Sequence, residues 1–313
     1  MVWIARRHTL FGLAAALAGC AAAPARAAAA HAVAPGVYVL EGSGGIADEA
    51  NLGRIGNLGF IVGPEGVLVV DTGTSYAHGQ ALLAAVAEVT DRPIRLAVVT
   101  HTQPEFLFGG TAFRERGIPL RMHARCAGLM ASRCEACLKR LRQTVGEAPF
   151  AGTAMYKPDQ VFEATQRVEG IGRVVVLRYF GPSSGPGDIA VHDEASGTLF
   201  AGGLLEAGRV PDIQDSDLEG WKRALGEMRM LPIQRIVPAH GPVSPPSLVG
   251  DVERYLAQLE EHTRRFVADG GSLLDVADAV ELPEFAHWDQ YATVHRRNAA
   301  IAFLRFEREL LFK

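Results

Sequence analysis

The sequence predicts one mixed α/β domain built as a four-layer sandwich, with a helical layer outside each of two β-sheets. Two observations carry this prediction: β-rich runs fall into two blocks, and helical sequence closes each block. A third concerns organisation, because no composition break or Pro/Ser-rich linker divides the chain. With 313 residues, 48% of them hydrophobic, the chain is long enough to bury such a core. We therefore expect one domain over residues 28–313.

The first block combines short strands with a strand, helix, strand unit. Runs rich in β-branched residues and bounded by turn residues predict strands over 36–42, 57–63 and 67–73. A helical period follows over 76–89, and the apolar run 94–100 predicts the next strand. A near-continuous apolar strand after a helix indicates parallel pairing with both faces buried.

The second block is predicted from the same kinds of pattern. A helix over 124–145 leads into it, and further helices are expected near its end. The remaining strands are predicted over 173–181, 189–193, 198–203 and 235–241, and the remaining helices over 218–230, 248–268, 272–279 and 291–311.

The first 27 residues have the features of an export signal. Arg6 and Arg7 precede an apolar run, and Ala25 to Ala27 read Ala-Arg-Ala, a small-residue cleavage site. The paired arginines suit the twin-arginine route, although general secretion tolerates them too. The stretch Leu-Ala-Gly-Cys ending at Cys20 is similar to a lipoprotein processing box, or is an apolar stretch that happens to contain a cysteine. A periplasmic or exported protein, with a lipid anchor as an open alternative, is expected.

The charge of the chain limits the classes of binding partner that are expected. The formal net charge is -4, and basic residues occur in no block longer than short pairs. Nucleic acids and anionic membranes bind proteins through dense basic surfaces, so neither is expected here. Small molecules and periplasmic proteins are the partners that remain.

Candidate functional residues stand where predicted strands run into loops. Asp71 follows one strand, His101, Gln103 and Glu105 follow another, and His240 ends the motif Pro-Ala-His-Gly. The turn Gly-Pro-Ser-Ser-Gly-Pro-Gly-Asp at 181–188 places Ser184 in a third such loop. Polar groups at strand ends are typical of sites carried on a rigid sheet framework.

In this order, the motifs resemble the metallo-β-lactamase fold superfamily, over nearly the whole chain after the signal. The resemblance implies a hydrolase with two zinc ions, in which imidazoles and carboxylates hold the metals and a shared water is activated. His101 stands at the first ligand position and His240 at the last. At the other ligand positions the chain has Gln103, Glu105, Phe106, Ser184 and Gly203. Asp71 matches a position outside the metal shell that supports the loop.

These replacements predict a degenerate metal centre. Phe106 and Gly203 offer no side-chain ligand, and Gln103 and Ser184 are weak neutral donors. A mononuclear site of His101, Glu105 and His240 is the largest that could remain. The residues favour no zinc, or weakly bound zinc, over one tightly held ion.

A narrower resemblance is to the exported quinoprotein relay system zinc metallohydrolases. It depends on the exported N-terminus, on the stretches 108–117, 208–221 and 294–310, and on the cysteine-containing helix. This resemblance implies an accessory role in periplasmic quinoprotein oxidation.

Three cysteines beyond Cys20 lie on one predicted helix. His123, Cys126, Cys134 and Cys137 have the spacing of a possible structural zinc site. A disulfide among Cys126, Cys134 and Cys137 is favoured in an oxidising compartment, and free or redox-active thiols stay open.

Three functions are therefore open from the sequence. The first is a non-hydrolytic or weakly active accessory or binding protein that uses a remodelled cleft. The second is a mononuclear zinc hydrolase acting through His101, Glu105 and His240. The third is a thiol-disulfide protein acting through Cys134 and Cys137.

Overall fold

The computed structural model describes residues 29–312. The expected export signal over residues 1–27 and the lipid-anchor cysteine Cys20 lie outside the described residues. Within the described range, no helix has the length and apolar character needed to cross a membrane.

Twelve strands and eight α-helices make up the described chain. The strands are β1 His31–Ala34, β2 Val37–Leu40, β3 Leu58–Val62, β4 Val67–Val70, β5 Ile94–Val99, β6 Leu120–His123, β7 Gln160–Phe162, β8 Gln166–Val168, β9 Val175–Tyr179, β10 Ile189–Asp193, β11 Thr198–Gly202 and β12 Arg235–Pro238. The helices are α1 Tyr76–Val89, α2 Pro104–Leu107, α3 Gly110–Glu115, α4 Ala124–Val145, α5 Leu218–Arg229, α6 Leu248–Ala268, α7 Val276–Ala279 and α8 Arg296–Leu311.

The strands form two sheets. The first has seven strands in the order β1 to β7, antiparallel up to β4 and parallel from β4 to β7. The second has five strands in the order β12-β11-β10-β9-β8, and in it β11 and β12 are parallel. The predicted parallel pairing of the strands on either side of α1 is confirmed, since these are β4 and β5.

Three apolar clusters separate the layers. One lies between the two sheets and includes Ile61, Leu96 and Val191. The second packs α1, α3 and α4 against the outer face of the first sheet. The third packs α5, α6 and α8 against the outer face of the second sheet. The predicted four-layer sandwich is therefore confirmed.

The predicted helices over 76–89, 124–145 and 248–268 have the predicted bounds. Several predicted strands end earlier than expected, because the chain turns sharply where the candidate residues begin. Asp71 and Gly241, for example, have φ of 61° and 87°, which a strand cannot accommodate. The sequence patterns missed β1, β6, β7, β8, α2 and α3, which are all short. Helix α8 starts at Arg296 rather than 291, after a π-helical turn at Tyr291–His295.

Candidate functional site

The candidate residues meet at one edge of the two sheets. Asp71 follows β4, His101 follows β5, Gly203 follows β11 and His240 follows β12. Each of these strand pairs is parallel, so the carboxyl ends of both strands reach the same edge. Asn57, which immediately precedes β3, links the two sheets there by donating to the carbonyl oxygens of Pro238 and Gly241.

His101 lies at the end of a buried hydrogen-bonded chain. The backbone N–H and the hydroxyl of Thr100 contact the Asp71 carboxyl at 2.8 to 3.0 Å. The same hydroxyl is 2.7 Å from His101 Nδ1, and His101 Nε2 is 3.2 Å from Gln103 Oε1. Both nitrogens of the His101 ring are therefore engaged by neighbouring side chains.

Burial shifts the pKa values of the two end groups of this hydrogen-bonded series, Asp71 and His101. Burial raises the pKa of Asp71 to about 7, although hydrogen bonds from Thr100 oppose that rise. Burial lowers the pKa of His101 to about 4, so its ring is neutral near pH 7. The Thr100 hydroxyl has one proton, which it donates to the ionised Asp71 carboxylate. When Asp71 is protonated, the Thr100 oxygen accepts from it and the hydroxyl donates to His101 Nδ1 instead.

His240 lies between two carboxylates. Its Nε2 is 3.0 Å from Glu105 Oε1, and its Nδ1 is 3.0 Å from Glu206 Oε2, which also accepts the His240 backbone N–H at 3.0 Å. The His240 and Glu206 side chains are only 1% and 3% exposed. Burial alone would lower the pKa of His240, but the two glutamates outweigh it and raise the pKa to about 9. The ring is thus an imidazolium with both N–H groups donating to carboxylates.

Phe106 fills the space beside the two imidazoles. Its ring centroid is 4.4 Å from that of His101 and 5.4 Å from that of His240. The ring is fully buried and packs on Gly56, where an added Cβ would come within 2.2 Å of it. Phe106 therefore gives both histidines an apolar neighbour in this part of the cleft.

The Asp188 carboxyl occupies the opposite wall of the cleft. Ser184 donates to it at 2.7 Å, and the Cys126 thiol contacts its other oxygen at 3.6 Å. A Cβ at Gly203 would lie 2.8 Å from Asp188 Oδ2 and 3.0 Å from the His101 ring. Burial raises the pKa of Asp188 to about 6, against the lowering effect of the Ser184 and Cys126 hydrogen bonds. Asp188 thus takes up the room that a side chain at position 203 would need.

A small polar cavity of about 80 Å³ lies between these walls. It is too small for a drug-sized molecule and has room for a small polar group or a few waters. Its lining consists of His101, Thr102, Gln103, Ser184, Gly185, Asp188, Gly203, Asp212, Gln214 and Asp215.

At the predicted mononuclear site the histidine nitrogens are all paired with neighbouring side chains. Zinc needs a free nitrogen lone pair on each histidine ligand, whereas both His240 nitrogens face carboxylates and the His101 nitrogens face Thr100 and Gln103. Of the three candidate ligands, Glu105 and His240 contact each other, whereas the ring of the third, His101, packs beside Phe106. Within residues 29–312, no group of three or more histidine, cysteine or acidic side chains is arranged to hold a metal.

The cysteines of helix α4 lie at different depths in the structure. Cys126 and Cys134 are buried free thiols and Cys137 is a partly exposed one, and a disulfide among them stays a prediction. His123 caps helix α4 by accepting the Arg125 N–H and faces the Glu163 carbonyl, so its ring does not join the thiols. Cys126 instead belongs to the cleft wall.

Sequence reasoning missed three residues of the site. Glu206, Asp188 and Cys126 are all buried, but none was predicted to contact the cleft. A buried glutamate in an apolar stretch after β11 was the available signal, because an acidic residue in such a position needs a partner. The contact between Cys126 and Asp188 joins residues 62 positions apart and had no local signal.

Comparison with known proteins agrees with this architecture. Residues 52–240 match the family model of the metallo-beta-lactamase superfamily. The linear primary-alkylsulfatase of Pseudomonas sp. (strain ATCC 19151) is 23% identical over 262 residues, covering 72% of this chain and 49% of that protein. The chain therefore spans about half the length of this curated relative.

Solved structures share the fold at low sequence identity. The mono-zinc form of the metallo-β-lactamase FIM-1 from Pseudomonas aeruginosa has a TM-score of 0.58 and 20% identity, covering 73% of this chain and 94% of its own. A metallo-β-lactamase from Hirschia baltica has a TM-score of 0.58 and 17% identity, covering 72% and 96%. Because the family match extends over more than half of the sequence, the chain belongs to the metallo-beta-lactamase superfamily.

Proposed function

We propose that this protein is a metal-independent accessory or binding protein, non-hydrolytic or weakly active, that uses the remodelled cleft to hold a ligand. The observation that carries the proposal is His240, whose two ring nitrogens both donate to buried carboxylates. A histidine held in this way is a structural cation that neutralises Glu105 and Glu206. While both carboxylates hold it as a cation, neither ring nitrogen offers a lone pair to a metal.

A cleft without a tightly held metal would lack the zinc-activated water that the family resemblance implies. Zinc lowers the pKa of a bound water and makes it a nucleophile at neutral pH. In this cleft the polar groups instead hydrogen-bond to one another, through Thr100 and Asp71 on one wall and Ser184 and Asp188 on the other. The arrangement supports binding of a polar group better than activation of water.

The lining indicates the kind of group that would bind. Asp188, Asp212 and Asp215 give the cavity three carboxyls, of which Asp212 and Asp215 pair with arginines at its rim. Carboxylates and the Gln103 and Ser184 oxygens accept hydrogen bonds and repel anions. We expect a small neutral or cationic group with hydrogen-bond donors, such as a hydroxyl or an amine, carried by a small molecule or a partner protein.

The setting of this function is proposed from the sequence motifs. The predicted export signal supports a periplasmic location, with lipid anchoring at Cys20 as an alternative. The resemblance to quinoprotein relay proteins supports a link to periplasmic quinoprotein oxidation.

Metal analysis of the purified chain tests the proposal. After exposure to zinc and removal of unbound metal, we expect a zinc content near zero, which His240→Ala leaves unchanged. Glu206→Gln is the matched variant, since it relieves one of the two carboxylates that engage His240, and a rise in zinc affinity there would support the stated reason. Near one zinc per chain in the wild type, lost in His101→Ala, would overturn the proposal.

A mononuclear zinc hydrolase is the second candidate, because Glu105 and His240 are already adjacent at 3.0 Å. The similarity to a protein named linear primary-alkylsulfatase suggests octyl sulfate as a test substrate. Zinc-dependent release of sulfate that disappears in His101→Ala would favour this candidate. The Asp188 carboxyl in the lining argues against it, because an alkyl sulfate is an anion.

A further inference from the structure

We propose that Cys134 and Cys137 form a reversible dithiol site on helix α4, which reacts with small-molecule or protein disulfides. The site is separate from the cleft function and does not depend on it. Both residues lie on α4, three positions apart, which places their side chains on neighbouring parts of one helix face.

The two thiols have different surroundings. Cys134 is 2% exposed and belongs to the core beneath the first sheet, whereas Cys137 packs on the edge of that core and is partly exposed. A disulfide reagent can therefore reach Cys137 first. Cys134 is placed to act second, from the protected side.

Charge around Cys137 favours its reactive form. Hydrogen bonding between the two thiols lowers the pKa of Cys137, with smaller contributions from the charges of Arg140 and Arg133, against the opposing effect of burial. The same pairing, together with burial, raises the pKa of Cys134. The exposed outer sulfur is therefore the more acidic of the two, and the buried inner one keeps its proton to higher pH.

The reaction is an exchange of thiols and disulfides. The Cys137 thiolate attacks one sulfur of a disulfide RSSR, which forms a Cys137–SR bond and releases RS⁻. Cys134 then loses its proton and attacks the Cys137 sulfur, which forms the Cys134–Cys137 bond and releases a second RS⁻. Two protein thiols are oxidised, RSSR is reduced to two thiols, and the protons lost by the protein are taken up by them.

Helix geometry makes the product easy to reduce. Side chains three positions apart on a helix have Cβ atoms about 5–6 Å apart, whereas a disulfide needs about 3.5–4.5 Å. Forming the bond must therefore distort the turn between Cys134 and Cys137. Strained disulfides are the labile ones, which suits a reversible site.

The same helix reaches the cleft at two points. Arg133, next to Cys134, donates to Asp215 at 2.6 Å, and Asp215 lines the cavity. Cys126, two turns earlier, contacts Asp188. Distortion of the oxidised turn would therefore pull on the rim of the cleft through Arg133.

Peptide mapping provides the test, because trypsin separates the relevant thiols. Cleavage after Arg133 and Lys139 yields one peptide with both Cys134 and Cys137, and cleavage after Arg125 and Arg133 yields another with Cys126. The reduced chain is treated with oxidised glutathione near neutral pH, quenched, alkylated and digested. We expect the first peptide to lose the mass of two hydrogens reversibly, while Cys126 remains a thiol.

Single variants assign the order of attack. Cys134→Ser should accumulate a glutathione mixed disulfide at Cys137, and Cys137→Ser should abolish the reaction. Arg140→Gln should slow the first step about two- to fivefold, with Arg140→Lys near wild type. If Cys134→Ser does not fold, the mixed disulfide at Cys137 is sought in the wild-type time course. A dithiol peptide that stays reduced in the native chain but oxidises after denaturation would overturn the proposal, as would first attack by Cys134 or Cys126.

Discussion

At the residue scale, the cleft is organised by pairing buried charges. His240, Glu105 and Glu206 form a line of carboxylate, imidazolium and carboxylate with little access to water. Each charge is acceptable in the interior because its neighbour has the opposite sign. Removal of the central member would leave two carboxylates facing each other across a gap, with no donor between them.

We therefore expect His240→Ala to destabilise the protein by about 3–5 kcal/mol, the usual cost of leaving a buried ionic partner uncompensated. Urea unfolding at neutral pH measures this free energy. The control is Glu206→Gln, which keeps a hydrogen-bonding side chain and should cost less. If His240→Ala lowered stability by less than about 1 kcal/mol, the pairing described for His240 would be wrong.

At the scale of elements, the start of helix α1 shows how a buried histidine supports the loop after β4. Ser75 caps the helix by accepting the His78 N–H, and His78 Nδ1 accepts the Thr74 N–H at 3.2 Å. Gly73, with φ of 93°, lets the backbone pass directly over the His78 ring. This arrangement fixes the loop that begins at Asp71.

Burial, with a smaller effect of the Arg54 charge, lowers the pKa of His78 to about 3. A folded-state pKa below the unfolded value means that the stability present above pH about 6.5 is lost as the pH falls towards 3. From about pH 7 to about pH 4 the wild type should lose roughly 3 kcal/mol more than His78→Asn, which keeps an acceptor. Urea unfolding of both proteins across that range checks the difference, since other groups such as His101 are common to both. Equal pH slopes would contradict the prediction.

At the scale of the whole molecule, the two sheets and their helices should unfold together. The cluster between the sheets joins Ile61 and Leu96 of the first sheet to Val191 of the second, and Asn57 bonds across the cleft edge. A shared core of this kind links the halves into one cooperative unit. The predicted single domain over residues 28–313 depends on this linkage.

Two probes can test whether the two sheets and their helices unfold as one cooperative unit. Trp221 and Trp288 both lie in the cluster outside the second sheet, whereas Cys126 and Cys134 lie in the cluster outside the first. We expect tryptophan fluorescence and cysteine alkylation to give coincident midpoints in urea. Separate midpoints would indicate two domains that unfold independently.

Part of this structure could be predicted from the sequence, and the reasons differ by feature. Helices α1, α4 and α6 repeat apolar residues over three turns or more, so their periodicity is unambiguous. Short elements such as β7 and α2 have three or four residues, too few to display a period. At the site, the strand ends that carry His101 and His240 were predictable from local motifs. The partners of these histidines, Glu206 above all, depend on contacts between distant segments.

The packing of Phe106 against Gly56 limits which single substitutions the cleft can accommodate. Phe106→His would return an imidazole to the loop but would leave a space above Gly56 that the smaller ring does not fill. Gly203→Asp would meet Asp188 before it could reach any ion. Each single reversal is therefore opposed by a neighbour already adapted to the change. The metal-free cleft that we propose would thus be separated from a dinuclear one by several simultaneous substitutions, and stepwise selection for hydrolysis would first pass through less stable proteins.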